Sequence, residues 1–492
     1  MLKQLLARKT DFSEGDDTHG PALRRTLGPW GLTAIGIGAV IGAGIFVITG
    51  VAAADHAGPA VILSFLLAAI CSSFTALCYA EFATLIPLSG SAYSYAYATL
   101  GELMAWFIGW NLVLEYGVSA SAVAVSWTGY FLSLLNHLGA LFNMDLSLPA
   151  ALTNAPLVFT ADHQLATTGA LLNLPAVALV ALLTWVCYVG IRESSLLNSL
   201  MVIIKVGLVL LVIVVGWRYV DPSNWVPFIP ESEGNNRYGW GGVMRGAAMV
   251  FFAYIGFEAT SVAAQESRNP QRDLPVAILG SLAICTVLYI AMAAVMTGLN
   301  SYTVLGTNEP VVTALQGHPQ LGWLRWVVEV GAMLGLASVV LVMIIAQPRI
   351  FYIMGRDGML PKVFTRVHPV HRTPHLNTLI TGAGIALLAA VFPLDVLGEL
   401  VSMGTLIAFI AVCGGVWILR HTHPELKRTF RVPWAPVVCS LGILSCLALL
   451  SYMAWYNWML MIVWTVAGVA IYFLYGYRHS HLRDLRQKSG IR

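Results

Sequence analysis

Charge is the scarcest thing in this chain of 492 residues: Asp, Glu, Lys and Arg make up 10% of it, against 58% hydrophobic residues. The net charge is only +3, and the basic residues are scattered over short loops, so nucleic-acid binding has no support. Cysteine is sparse as well. All seven (Cys71, Cys78, Cys187, Cys285, Cys413, Cys439, Cys446) lie inside apolar runs, without the loop spacing of a disulfide framework or a metal knuckle. They read as small hydrophobes in packing positions, and no metal or cofactor is expected. Enzyme signatures are missing too: the chain has no DDxxD-like acid cluster and no G-x-S-x-G. There is also no TVGYG-type filter or ring-forming acidic repeat, which argues against a channel.

What the chain has is length in apolar runs. Its mean hydropathy is +0.76, and runs of about 20 apolar residues are what a hydrocarbon layer ~30 Å thick demands of a helix. The runs predict an all-α polytopic membrane protein with twelve transmembrane helices, at 29–53, 60–86, 96–134, 173–190, 195–217, 240–265, 275–298, 323–354, 377–393, 396–419, 433–452 and 455–476. Residues 135–172 form the longest loop. The first 28 residues are polar, too long and too acidic for a signal-peptide n-region, although "GVAAADHAG" faintly resembles a cleavage site. With the N-terminus in the cytoplasm, 22 of the 27 Lys and Arg residues fall on cytoplasmic segments and Arg218, Arg237 and Arg325 fall outside. That bias sets the orientation and places both termini in the cytoplasm.

The first span contains "IGIGAVIGAGIFVITG", in which five glycines weaken a segment otherwise fit to cross a membrane. Gly36, Gly38 and Gly42 lack the dinucleotide-binding spacing and have no strand before them. Gly38-x-x-x-Gly42 alone fits close helix packing. A similar interruption recurs in "FFAYIGFEATSVAAQESRNP", with Gly256 in mid-span and Glu258 just beyond it. Two broken spans at corresponding positions of two halves point to an inverted repeat. A break frees backbone groups at membrane depth, and these are tolerated where they line a cavity. The half-helix starting near Ala43 and Gly44 offers N–H groups and a positive dipole end to a carboxylate. The carbonyls of Val40, Phe252, Ala253 and Ile255 suit an ammonium. Together they describe a receptor for a zwitterion.

The stretches "GIGAVIGAGIFVITG", "YAEFATLIPLSGSAYSYAY", "GELMAWFIGWNLVLEYGVSASAVA", "FFAYIGFEATSVAAQESRNPQRDLP" and "PRIFYIMGRDGMLP" follow one another from Gly31 to about Pro361. In content, order and spacing they resemble the amino acid–polyamine–organocation transporters, and more narrowly the cationic amino acid transporter branch with its bacterial relatives. The resemblance implies a LeuT-like five-plus-five inverted repeat with discontinuous helices 1 and 6, alternating access, and in many bacterial members use of the proton gradient. Carried over by residue, it puts the carboxylate on Ala43 and Gly44 and the amine on the carbonyls of Val40, Phe252, Ala253 and Ile255. The domains are then a cytoplasmic tail 1–28, a transport core 29–419 holding helices 1–10, helices 11–12 at 433–476, and a cytoplasmic tail 477–492.

Lys205 lies deep in the fifth span, where a charge is costly unless paired. By the resemblance, a lysine here stands where sodium-coupled relatives bind an ion, which favours proton over sodium; the alternative is a strut fixed to backbone carbonyls. Ser338 is a candidate hydroxyl neighbour for Lys205. Glu115, in apolar surroundings in span 3, is either a proton carrier or a neutral acid hydrogen-bonded between helices. Glu258 reads as a cap of the inner half of helix 6. Glu81, Arg349, Arg356 and Asp357, near the cytoplasmic ends, read as interhelical ion pairs, and Arg245 has no assigned role. On span 8, Leu336 and Ala337 are expected to meet the substrate side chain; both are apolar, so an arginine or lysine head would lack a partner there.

The expected function is secondary active transport: proton-coupled symport of a small neutral amino acid through the cytoplasmic (inner) membrane of a bacterium. Substrate, protons and the lipid bilayer are the expected partners. A transporter of arginine and lysine, an exchanger, and a non-transporting amino acid sensor are the alternatives.

Overall fold

A computed structural model describes residues 27–85, 93, 96–97, 99–159, 165–189, 195–258, 260, 267–368, 373–422, 424–426 and 428–483. Both tails expected to be cytoplasmic fall largely outside these residues, as does the C-terminal end of the sixth span. Among the described residues twelve helices have twelve or more residues: α1 Pro29–Val40, α2 Val61–Leu85, α3 Glu102–Phe142, α4 Leu174–Val189, α5 Ser195–Trp217, α6 Gly239–Val250, α7 Pro270–Leu299, α8 Gly322–Arg356, α9 His375–Val391, α10 Leu394–Thr422, α11 Ala435–Ser451 and α12 Trp455–Ile471. Seven stretches are long and apolar enough to cross a membrane, and α1, α4, α9 and α11 are shorter apolar helices. The chain is thus a mostly helical, polytopic membrane protein.

The helices start where their sequences provide a start. Pro29 opens α1 at a position whose N–H has no intrahelical partner. At α7, Pro270 follows Asn269, and Asp273 of the first turn accepts the Asn269 N–H and the Ser267 hydroxyl, both at 3.2 Å. The third helix outruns the expected span: the apolar period continues through Leu134, Leu135 and Leu138 to Phe142, and Asn143 ends the helix in the left-handed region (φ 51°). The loop beyond holds a short antiparallel hairpin, Leu157–Phe159 with Leu165–Thr167.

The core is a bundle in which α3 packs along α8, and α7 lies against α2 and α1. Five of the seven cysteines meet in one seam between α2, α10 and α11, with Cys71 and Cys446 sulfurs 3.6 Å apart and Cys78 and Cys439 3.8 Å apart. These are van der Waals separations of free thiols, as expected for small packing residues.

Arg245 acquires a role here. It is 8% exposed and pairs with Glu399 of α10, which is 1% exposed. Glu399 also accepts the Ala454 N–H at 3.2 Å and Asn457 Nδ2 at 2.8 Å, and Arg245 donates to the Tyr452 carbonyl. One buried pair therefore ties α6 to α10 and to the turn before α12. Breaking such a pair by removing one partner costs ~3–5 kcal/mol, while replacing both by apolar groups is nearly neutral. Arg245→Met should accordingly lower the unfolding midpoint strongly, and adding Glu399→Leu should recover most of the loss. A double variant no more stable than the single one would show that the pair is not the source of the effect.

Candidate substrate site

The site is built where two helices stop. α1 ends at Val40, and Ile41 is extended (φ −73°, ψ 102°); the chain bends through Gly42 and resumes as a π-helical turn over Gly44–Ile48. α6 tightens into a 3-10 turn over Phe251–Tyr254, Ile255 is extended, and Gly256 takes φ +121°. At 12 residues each, α1 and α6 rise only ~18 Å, too little to cross a membrane unaided.

The two breaks lock into each other. A Cβ on Gly44 would stand 2.3 Å from the Ala253 Cβ and 2.4 Å from its Cα. A Cβ on Gly256 would stand 2.9 Å from the carbonyl carbon and oxygen of Ala39, besides being strained at that φ. Gly38 instead makes room for a neighbouring helix, since its missing side chain admits Val202 of α5, which a Cβ would meet at 2.3 Å. The glycine-rich stretch thus serves both a broken crossing and close packing.

Side chains satisfy the freed backbone. The Tyr289 hydroxyl, fully buried on α7, lies 2.8 Å from both the Val40 and the Ala253 carbonyl oxygens. Having one proton, it donates to one of them at a time. Tyr130 donates to the Phe46 carbonyl at 2.6 Å, and Lys205 Nζ to the Gly38 carbonyl at 3.1 Å. Glu258 accepts the Gly256 N–H with both oxygens, at 3.1 and 3.0 Å; the inner half of helix 6, which it was expected to cap, lies largely outside the described residues.

Between the breaks lies a small cavity of about 20 Å³, part of it open to solvent. Ala39, Val40, Gly42, Ala43 and Gly44 line it from the first helix, Phe252 and Ile255 from the sixth, Ser119 and Val123 from α3, and Val339 and Met343 from α8. Five residues expected at the substrate (Val40, Ala43, Gly44, Phe252 and Ile255) are thereby brought together. Ala253 sits behind them, its carbonyl engaged by Tyr289 and its Cβ over Gly44. Leu336 and Ala337 lie off this lining, in the core; α8 presents Val339 and Met343, one and two turns beyond Leu336. A motif places a helix in the chain but leaves its rotation to packing.

Lys205 is 3% exposed, and its stem runs along Gly335 of α8, where a Cβ would stand 3.3 Å away. Ser338 lies in the same turn, but its hydroxyl donates to the Gly335 carbonyl at 2.8 Å. Glu115 is in hydrogen-bonding contact with Glu258, beside Thr405 of α10. Away from the breaks Glu81 pairs with Arg420 and accepts the Val432 N–H at 2.8 Å, while Asp357 accepts the Tyr93 hydroxyl at 2.7 Å.

A small cavity built on exposed backbone at two helix breaks, deep in an apolar bundle, defines a membrane carrier for a small solute, not an enzyme. The amino acid permease family model matches residues 27–475, and the chain belongs to that family. It is 46% identical to the branched-chain amino acid permease BcaP of Bacillus subtilis (strain 168), over 94% of this chain and 95% of that one. It is also 46% identical to a methylthioribose transporter of the same strain, over 98% of this chain and 100% of the relative. Cationic amino acid transporter 4, vacuolar, of Arabidopsis thaliana is 37% identical over 82% of this chain and 64% of its own length.

Tyr289 is a residue that sequence reasoning passed over; its signal was a lone hydroxyl in the apolar run "CTVLYIAMAAV". Tyr289→Phe leaves a buried carbonyl without a donor, a loss of ~1–3 kcal/mol, so the thermal midpoint should fall while the fold persists. An unchanged midpoint would mean that another donor serves both carbonyls. Gly44→Ala should abolish amino acid binding, measured by calorimetry, because its Cβ collides with backbone that cannot yield; wild-type affinity would overturn the crossing as a binding element.

Proposed function

We propose that this protein carries branched-chain and other small neutral amino acids across the bacterial cytoplasmic membrane by alternating access. The observation that carries the proposal is the lining of the cavity. Among the described residues, backbone groups of two helix breaks face Val123, Phe252, Ile255, Val339 and Met343, with Ser119 the one polar side chain and no charge among them. The N–H groups at Ala43 and Gly44 suit a carboxylate, the Val40 and Phe252 carbonyls suit an ammonium, and the apolar wall suits an aliphatic side chain. An arginine or lysine head would enter that wall unpaired. Methylthioribose offers neither carboxylate nor ammonium to the breaks, and its hydroxyls would find only Ser119 among the side chains.

In this reading the twelve helices form two inverted repeats of five plus α11 and α12, with both termini cytoplasmic. Lys205 and Glu115 carry the coupling. Lys205 bonds the first half of helix 1, and the Glu115 and Glu258 pair joins α3 to the second half of helix 6. Loss or gain of a proton at either place changes a contact between segments that must move, which is how a gradient biases two conformations.

Uptake into proteoliposomes tests both parts. Labelled valine should accumulate under an inward proton gradient, indifferent to sodium, and be displaced by leucine and isoleucine far better than by arginine, lysine or methylthioribose. Preferential displacement by arginine or methylthioribose would reverse the substrate assignment, and binding without uptake would indicate a sensor. Lys205→Ala should bind valine without concentrating it; undiminished gradient-driven uptake would leave Lys205 a strut and the glutamate pair the proton carrier.

A further inference from the structure

Ser119 stands apart from the other polar groups around the cavity. It is 3% exposed and lines the cavity, yet among the described residues its buried hydroxyl has no hydrogen-bond partner. Neighbouring hydroxyls of the same helix are spent on their own backbone: Ser121 donates to the Gly117 carbonyl at 2.8 Å and Ser126 to the Ala122 carbonyl at 2.9 Å. An orphaned buried hydroxyl is disfavoured, and beside a cavity that takes a substrate a polar group of that substrate can satisfy it.

The position says which part of the substrate. The backbone groups suited to a carboxylate and an ammonium come from helices 1 and 6, whereas Ser119 and Val123 come from α3 and Val339 and Met343 from α8. A zwitterion held at the breaks therefore turns its side chain toward the wall that contains Ser119. Ser119 is the one polar side chain of that wall, and a hydroxyl can both donate and accept.

We infer that Ser119 is a specificity element that admits amino acids bearing a β-hydroxyl, threonine foremost, alongside the branched-chain substrates. The inference rests on the function proposed above. Valine and threonine differ by a methyl group exchanged for a hydroxyl, at nearly the same volume. A purely apolar pocket disfavours the hydroxylated isostere by about 100-fold. With Ser119 to pair it, threonine should compete within about tenfold of valine, each hydrogen bond made in a buried site being worth about a factor of ten.

The test is a competition assay against labelled valine in proteoliposomes, reading the ratio of the threonine to the valine inhibition constant. Wild type should show a ratio of about ten or less, and Ser119→Ala should widen it toward about 100. Ser119→Thr, which keeps the hydroxyl, should hold the wild-type ratio. The ratio is the readout because a general loss of folding or of zwitterion binding weakens both amino acids together. A wild-type ratio already near 100, or a ratio that Ser119→Ala leaves unchanged, overturns the inference, the latter because Ser119 then touches the shared part of the substrate. Serine against 2-aminobutyrate repeats the comparison in the unaltered protein, and exclusion of serine would overturn it equally. Failure of valine itself to bind overturns the proposed function beneath it, a different result from valine bound and threonine excluded.

Discussion

Everything in this molecule depends on what becomes of the backbone groups set free where helices 1 and 6 stop. In water such groups would be solvated; inside an apolar bundle each must find a partner or a cavity. The Tyr289 hydroxyl, within 2.8 Å of carbonyls from both breaks, is the junction on which the two broken helices are hung together. Glu258, Tyr130 and Lys205 each take one further group, and what remains faces the cavity. The candidate site thus sits where the protein has had to satisfy the backbone of two broken helices at once.

The same crossing limits how the segments can be packed. Gly44 lies against Ala253 and Gly256 against Ala39 with no room for a Cβ, so the breaks touch backbone to backbone. Contacts this close behave as a joint with few arrangements, in contrast to a soft interface of long side chains. Around the joint, α3 and α8 supply a wall of side chains, Val123, Val339 and Met343, interrupted by Ser119.

Burial of an acid in this bundle does not by itself mark function. Glu399 is held by Arg245, Asn457 and the Ala454 N–H; Glu102 accepts the Tyr472 and Ser480 hydroxyls at 2.9 and 2.6 Å; Glu81 is held by Arg420 and the Val432 N–H. Each joins a peripheral helix to the core and is satisfied where it lies. Glu115 differs in that its partner is another carboxyl, on a segment beside a helix break.

The broad architecture was legible in the chain because a bilayer imposes a length and a polarity that any spanning helix must display, and because glycine clusters in mid-span announce broken helices. That Val40, Ala43, Gly44, Phe252 and Ile255 line one cavity was legible for the same reason: they sit where the helices break. The extension of α3 to Phe142 and the hairpin beyond it were not, since lipid-facing and solvent-facing ends of one helix share a period. Nor was the wall. Leu336 and Ala337 lie off the cavity lining, and only packing against α3 and α5 turns Val339 and Met343 toward it and leaves Lys205 beside Gly335. Tyr289 and Ser119 were invisible for a deeper reason: each is a single hydroxyl in an apolar run, and whether such a group is spent on its own helix, on a neighbour's broken backbone or on a cargo is decided by distances across the bundle. The sequence determined that two helices break; the tertiary structure alone decided which side chains answer them.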